Sequence, residues 1–233
     1  MKNITTTPPL MKKNKTVKKL YSLGEEIFNS VTHGVGSLFA IVAVVLLVVF
    51  SALYGNTWSV VSSAIYGAAM IILYTMSTLY HAITNTNVKK FFRICDHCSI
   101  FILIAGTYTP FTLVTMRSDP RYTTLAWAIF GIVWGAAILG IALNSISLEK
   151  FKVVSIVLYI VMGWVIIAAI RPLINTMHPT GVVLLFSGGI SYTGGMIFYA
   201  LGRKIKYMHS IWHLFVLGGT ILHFIVIFGY IIT

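Results

Sequence analysis

Seven long apolar runs separated by short polar breaks dominate the chain, at approximately 33–54, 59–81, 95–116, 122–143, 153–170, 182–201 and 210–232. A helix needs about 20 predominantly apolar residues to cross a bilayer, and each run is close to that length or beyond it. The expected fold is therefore all-α, a polytopic seven-transmembrane helix bundle. The breaks fall at Gly55-Asn56, Thr84 to Arg93, Ser118-Asp119-Pro120, Asn144 to Lys152, Arg171-Pro172 with His178-Pro179, and Gly202 to Tyr207. The fifth run is the shortest. Ahead of the first, Leu20 to Phe28 reads as a short interfacial helix carrying Glu25 and Glu26. Residues 1–23 read as a basic tail, expected to be disordered and containing Pro8-Pro9, and residues 24–233 as the transmembrane domain. Pro110 is expected to kink the third span. Gly131-x3-Gly135, Gly188-Gly189, Gly194-Gly195 and Gly218-Gly219 are expected at close helix contacts.

Composition agrees with the pattern. Of the 233 residues, 58% are hydrophobic and 9% charged, against roughly 25% charged in a soluble domain. The net charge of +12 would suggest nucleic acid only if the basic residues gathered on a folded surface. They are loop residues instead, and topology accounts for them. The tail and the second, fourth and sixth breaks hold fourteen Lys and Arg, and the opposite side holds three. The positive-inside rule then places the N-terminus in the cytoplasm and the C-terminus outside. The first 19 residues are polar and include six lysines, so no cleavable signal is expected. Cys95 and Cys98 are too few for a disulfide framework and fall on the side assigned to the reducing cytosol.

That topology also collects the chemistry. Ser77 and His81 lie at the cytoplasmic end of the second span, Asp96 and His97 at the start of the third, and His209 and His213 at the start of the seventh. Residues four apart share a helix face about 6 Å apart along the axis, so each i, i+4 pair can point into one cavity. Acids and imidazoles at the edge of a hydrocarbon layer are functional candidates by default. Neutral imidazoles from His81, His209 and His213 are suited to Zn2+ and leave one position open for water. Asp96 would serve as general base outside the metal shell. Ser77 would donate to a substrate oxygen, or bond back to its own helix as serines commonly do. Cys95 and Cys98 read as packing residues, and His97 as structural. His223 lies well over a dozen ångströms deeper than His209 by helical rise, too far to join the same metal. His178 falls in an outer loop. Glu26, Asn29 and His33 form a polar stripe that either caps the cavity or orders the start of the helix.

Residues 25–36 (Glu-Glu-Ile-Phe-Asn-Ser-Val-Thr-His-Gly-Val-Gly), residues 77–81 (Ser-Thr-Leu-Tyr-His), Asp96-His97 leading into Gly-Thr-Tyr-Thr-Pro at 106–110, and His209-Ser-Ile-Trp-His213 form an ordered set. In this order and topology they resemble the hemolysin III family, the bacterial branch of the progestin and adipoQ receptors. The resemblance covers essentially the whole chain after the tail. It implies zinc on His81, His209 and His213, contact between Asp96 and the metal-bound water, and Ser77 beside the site. The wider superfamily includes alkaline ceramidases, which implies hydrolysis of a lipid amide.

Three functions follow as expectations. The first is a zinc-dependent hydrolase of lipid amide or ester bonds, or a membrane-lipid homeostasis protein, acting on a membrane lipid or acyl-lipid substrate in a bacterial plasma membrane. The second is the pore-forming cytolysin that the family name implies, although the outer loops are short. The third is a sensor or receptor of membrane state with a structural zinc. Retinal photoreception is excluded because residues 210–232 contain no lysine for a Schiff base. A voltage sensor is excluded by the lack of a row of basic residues in any span.

Overall fold

A computed structural model describes residues 21–202 and 204–232. Among the described residues the secondary structure is entirely helical, in seven helices long and apolar enough to cross a membrane. They are α1 (Leu23–Tyr54), α2 (Thr57–Ala82), α3 (Thr86–Ser118), α4 (Pro120–Ile146), α5 (Lys152–Thr176), α6 (Pro179–Leu201) and α7 (Met208–Tyr230). The tail expected over residues 1–23 lies, up to residue 20, outside the described residues.

Helix starts differ from the hydropathy reading because caps, and not apolar character, set them. Ser22 Oγ accepts from the Glu25 N–H, and the Glu25 carboxylate takes the Ser22 N–H at 2.9 Å. This reciprocal capping box satisfies two orphan donors. Of the short interfacial helix expected over Leu20 to Phe28, residue 20 lies outside the described residues, and Leu23 to Phe28 belong to α1, which runs unbroken to Tyr54. Asn85 Oδ1 likewise accepts from the Asn87 and Val88 N–H groups. The polar stretch from Thr86 to Arg93, expected as a connection, therefore forms the first turns of α3. Asp119 Oδ1 accepts from the Arg121 N–H at 2.9 Å and starts α4 ahead of Pro120.

Two prolines mark irregular helix. Pro110 closes the regular α-helical part of α3, and the next five residues, Phe111–Thr115, form a π turn. A ring without an N–H removes one rung of the hydrogen-bond ladder. Pro172 was expected to end the fifth span, yet α5 continues to Thr176. Val165–Ala169 tightens to a 3-10 helix first, and Pro172 then sits in the opening turn of the α-helical segment Ile170–Thr176. A proline is tolerated in a first turn, where its missing N–H has no partner to lose.

Sequential helices pack as antiparallel neighbours, and α7 returns to close against α1. Small residues allow the approach, because in lipid the helices associate through close packing. A Cβ on Gly67 would sit 2.5 Å from Val44 Cβ, and one on Gly195 would meet the Trp212 ring at 2.7 Å. Gly131 and Gly135 behave otherwise. Nothing lies within 4 Å of a Cβ built on either, so this Gly-x3-Gly pair, expected at a helix contact, faces outward from α4.

A polar hub sits deep between α2, α6 and α7. Thr220 Oγ1 donates to the Val216 carbonyl at 3.0 Å and accepts from the Tyr74 and Tyr192 hydroxyls, each at 2.7 Å. With its own proton committed to Val216, both remaining contacts must be donations from the tyrosines. Thr220→Val removes the shared acceptor and leaves two buried phenols unpaired. It should lower the melting temperature of the detergent-purified protein by roughly 3–10 °C. Gly131→Leu should leave it within about 1 °C, and thermal unfolding followed by circular dichroism checks both.

Candidate metal centre

The end of the bundle that carries Lys89, Arg93, Lys150 and Lys152 is held together by side chains from distant helices. Lys89 Nζ donates to the Tyr80 carbonyl at 2.8 Å and also reaches the His81 and Ile83 carbonyls, closing the open end of α2. The same ammonium pairs with Glu26 Oε1 at 3.0 Å. Glu25 Oε1 accepts the Tyr207 N–H at 2.9 Å. Tyr207 precedes α7 and is the one described non-glycine residue with positive φ, at 62°. A left-handed tyrosine is costly, so this hydrogen bond fixes the point where α7 begins. Gly202 lets that turn close, since a Cβ there would lie 2.9 Å from the His209 backbone nitrogen.

Those constraints bring His81, His209 and His213 into one buried group, with a ligand atom from each within 4.8 Å of the others. The exposures are 3%, 6% and 2%. His209 Nε2 and His213 Nε2 are 3.2 Å apart. Two ligands at 2.0–2.1 Å from a tetrahedral ion are separated by about 3.3 Å, so the pair already has chelating geometry. His81 presents Nε2 because its Nδ1 is bonded to Glu26 Oε2 at 2.7 Å. A carboxylate on the far nitrogen of a histidine fixes its tautomer and ring orientation for metal binding.

The hydrogen-bond accounting points to the same place. Among the described residues ten buried side-chain nitrogen and oxygen atoms lack a partner, and six belong to Asn29, His33, Ser77, His81 and His213. Unpaired buried polar atoms are rare and call for an explanation; a cation would take the unpaired His81 Nε2, while the unpaired nitrogen of His213 is Nδ1 and not the Nε2 that faces His209. The donor set therefore fits zinc: three neutral nitrogens, one oriented by a carboxylate.

Asp96 and Ser77 stand apart from the three-histidine group. Asp96 Oδ2 lies 3.4 Å from His97 Nδ1, and the carboxylate is within electrostatic reach of His81 and His209. Ser77 stands next to the Asp96 carboxylate, while its Oγ makes no hydrogen bond of ordinary geometry. His97, expected to be structural, touches Asp96 and gives its Nδ1 to the Arg93 carbonyl at 3.0 Å. His223 is separate and deep, with Nε2 on the Leu185 carbonyl at 3.0 Å. His178 caps α6 through Nδ1. Cys98 is buried against the Ile141 carbonyl.

The stripe on α1 is part of the site wall. Besides Glu26 on His81, Asn29 Oδ1 accepts from Ser210 at 2.6 Å, and His33 stacks on His213 with ring centroids 3.7 Å apart. Tyr21 and Lys89 were missed by the sequence reading. The Tyr21 ring stacks on His209 at 4.8 Å and tilts over His81 at 5.6 Å, covering the group from the end of the bundle. Burial, with Asp96 and Glu26 nearby, pushes its phenol far above the ordinary range, so it stays neutral. Neither residue follows a histidine spacing, and only proximity to Glu25-Glu26 and to the end of α2 hints at them.

Beside the site lies an apolar cavity of about 120 Å³. It extends from His97 and Tyr199 past Trp212 and Ile104 to His223. Gly163 and Gly189 line it, with nothing within 4 Å of a Cβ built on either.

The family model for haemolysin-III related proteins matches residues 21–224 of the chain. The chain belongs to this family. It is 43% identical to the Hemolysin-3 homolog of Bacillus subtilis (strain 168) over 211 residues, covering 91% of this chain and 96% of that protein. It is 42% identical to Hemolysin-3 of Bacillus cereus over 208 residues, covering 89% and 92%. The human Monocyte to macrophage differentiation factor is 29% identical over 212 residues, covering 89% and 84%. The family match takes in His81, Asp96, His209 and His213.

Removing the carboxylate behind His81 should loosen the site without removing a ligand. Glu26→Ala should weaken zinc affinity about 10–100-fold, and Glu26→Gln, which keeps an acceptor for Nδ1, should weaken it less. Competition against a chromogenic chelator measures both.

Proposed function

We propose that this haemolysin-III family protein is a zinc-dependent hydrolase of acyl-amide or acyl-ester lipids, with its lysine-rich face in the cytoplasm. The observation that carries the reading is the convergence of three buried imidazoles, two already at chelating separation and the third oriented by Glu26. His81, His209 and His213 would hold the metal. A zinc ion held by three neutral ligands supplies Lewis acidity, polarising a carbonyl and lowering the pKa of water to about 7.

The surrounding residues divide the remaining work. Asp96 takes a proton from the water that adds to the carbonyl carbon and returns it to the departing amine or alcohol. That transfer releases a carboxylic acid and balances the reaction. Ser77 donates a hydrogen bond to the oxygen on which negative charge develops. The apolar cavity next to Trp212 and His97 accepts an acyl chain. Tyr21 covers His209 and His81 and keeps bulk water from the site.

A second reading has one observation behind it, the name Hemolysin-3 carried by the Bacillus cereus relative. Under that reading the protein would release dye from loaded liposomes, and histidine substitutions would leave the release unchanged.

The purified protein should contain one zinc per chain by plasma mass spectrometry. Alanine at His81, His209 or His213 should abolish stoichiometric metal, whereas Asp96→Asn should keep the metal and lose turnover by about 10²-fold or more. Lipidomics of membranes carrying the native protein or His213→Ala identifies the product, and identical lipid profiles would contradict the hydrolase. For sidedness, a cysteine introduced at Thr5 should react with an impermeant maleimide only after cells are opened. Labelling of intact cells would reverse the assignment.

A further inference from the structure

A second cavity, of about 220 Å³, lies at the lysine-rich end beside the first, and its walls are of different chemistry. Arg93, Lys152, Glu149, Asn144 and Ser155 line it. Its floor is an ordered polar chain. Ser155 Oγ donates to Asn144 Oδ1 at 2.6 Å, Asn144 Nδ2 donates to the Tyr159 hydroxyl at 3.3 Å, and that hydroxyl donates to the His97 carbonyl at 2.7 Å. Its charged lining residues are two cations, Arg93 and Lys152, and one carboxylate, Glu149, so the lining is net positive. Arg93 Nη1 bonds Glu149 Oε1 at 2.8 Å, and the guanidinium holds that carboxyl below the usual range. The Glu149 side chain is 70% exposed, and pairs this open to solvent are weak and easily exchanged. Lys152 Nζ lies over the Tyr199 ring at 5.7 Å.

His97, Tyr159 and Tyr199 line both cavities. A polar, positively charged mouth thus adjoins an apolar interior across three shared side chains, which is the profile of an amphiphile and of neither a soluble anion nor a neutral oil. The shared wall abuts the metal centre, since His97 Nδ1 is 3.4 Å from Asp96 Oδ2 and the Tyr199 ring is 5.9 Å from His209.

We propose that the mouth is a headgroup subsite for an anionic amphiphile, with a phosphate or carboxylate on Arg93 and Lys152 and the chain in the apolar cavity. This deepens the hydrolase reading and rests on it in one respect: the junction of head and chain, where an acyl linkage lies, falls beside Asp96 and His209. Arg93 supplies a planar fork suited to two oxygens, and Lys152 a point charge.

The test uses the full-length protein in nanodiscs of zwitterionic lipid and reads tryptophan fluorescence, because Trp164 and Trp212 line the apolar cavity. The probes are dodecyl phosphate and dodecanol, each brominated near the chain end so that entry quenches those rings, with inorganic phosphate as competitor. Dodecyl phosphate should bind about tenfold tighter than dodecanol. Lys152→Gln with Arg93→Gln should abolish that preference and leave dodecanol binding unchanged, and Lys152→Arg should preserve it. Equal affinity of the two probes for the native protein overturns the headgroup subsite while leaving the chain cavity standing. Absence of quenching by either overturns both. Inorganic phosphate competing as strongly as dodecyl phosphate reassigns the mouth to a soluble anion and overturns the lipid source. The native comparison decides the question even if a variant fails to fold.

Discussion

Within the hydrocarbon region water offers no hydrogen bonds, so a polar atom there must be satisfied by the protein or by something the protein binds. The bundle obeys this constraint through most of its depth. The phenols of Tyr74 and Tyr192 share the Thr220 hydroxyl, and serines and threonines along the helices bond back to carbonyls one turn earlier, as Thr107 and Thr109 do. Six of the ten departures among the described residues gather around three histidines. That concentration gives the site its meaning, because two of its imidazole nitrogens already stand at the separation of metal ligands.

What surrounds the histidines is a frame that sets their positions from several directions. Glu26 orients His81 while Lys89 fastens the end of the same helix. Glu25 performs two tasks with one carboxylate, capping α1 through Ser22 and pinning the start of α7 through Tyr207. The adjacent glutamates thus tie the first helix to both helices that carry the histidine group. His33 stacks on His213, so α1 touches the group of histidines that could hold a metal. Site precision of this kind comes from neighbours whose own conformations are locked.

Much of this was legible in the chain. The seven apolar runs led directly to seven helices, and helical spacing placed Ser77 with His81 and His209 with His213 on single faces. Charge alternation then put the three patches at one end. Boundaries were less legible, because Ser22, Asn85 and Asp119 start helices among polar residues where hydropathy sees only a loop. Gly131 and Gly135 read as a helix contact but face outward, since spacing alone does not say which way a helix face points. Glu26 was visible in the sequence while its role was not. Its bond to His81 joins residues on different helices, and such a pairing leaves no local signature. The same is true of Tyr21, an aromatic residue at the head of α1 that only the fold lays across His209.

If His81, His209 and His213 hold zinc, three imidazoles make up most of its first shell. Zinc K-edge X-ray absorption of the purified full-length protein tests it most directly. A first shell of nitrogen and oxygen at about 2.0–2.1 Å is expected, with multiple scattering from three imidazoles, and this zinc signal should be lost from His81→Ala. A shell containing sulfur from Cys95 or Cys98, or a spectrum unchanged by substituting any of the three histidines, would contradict it.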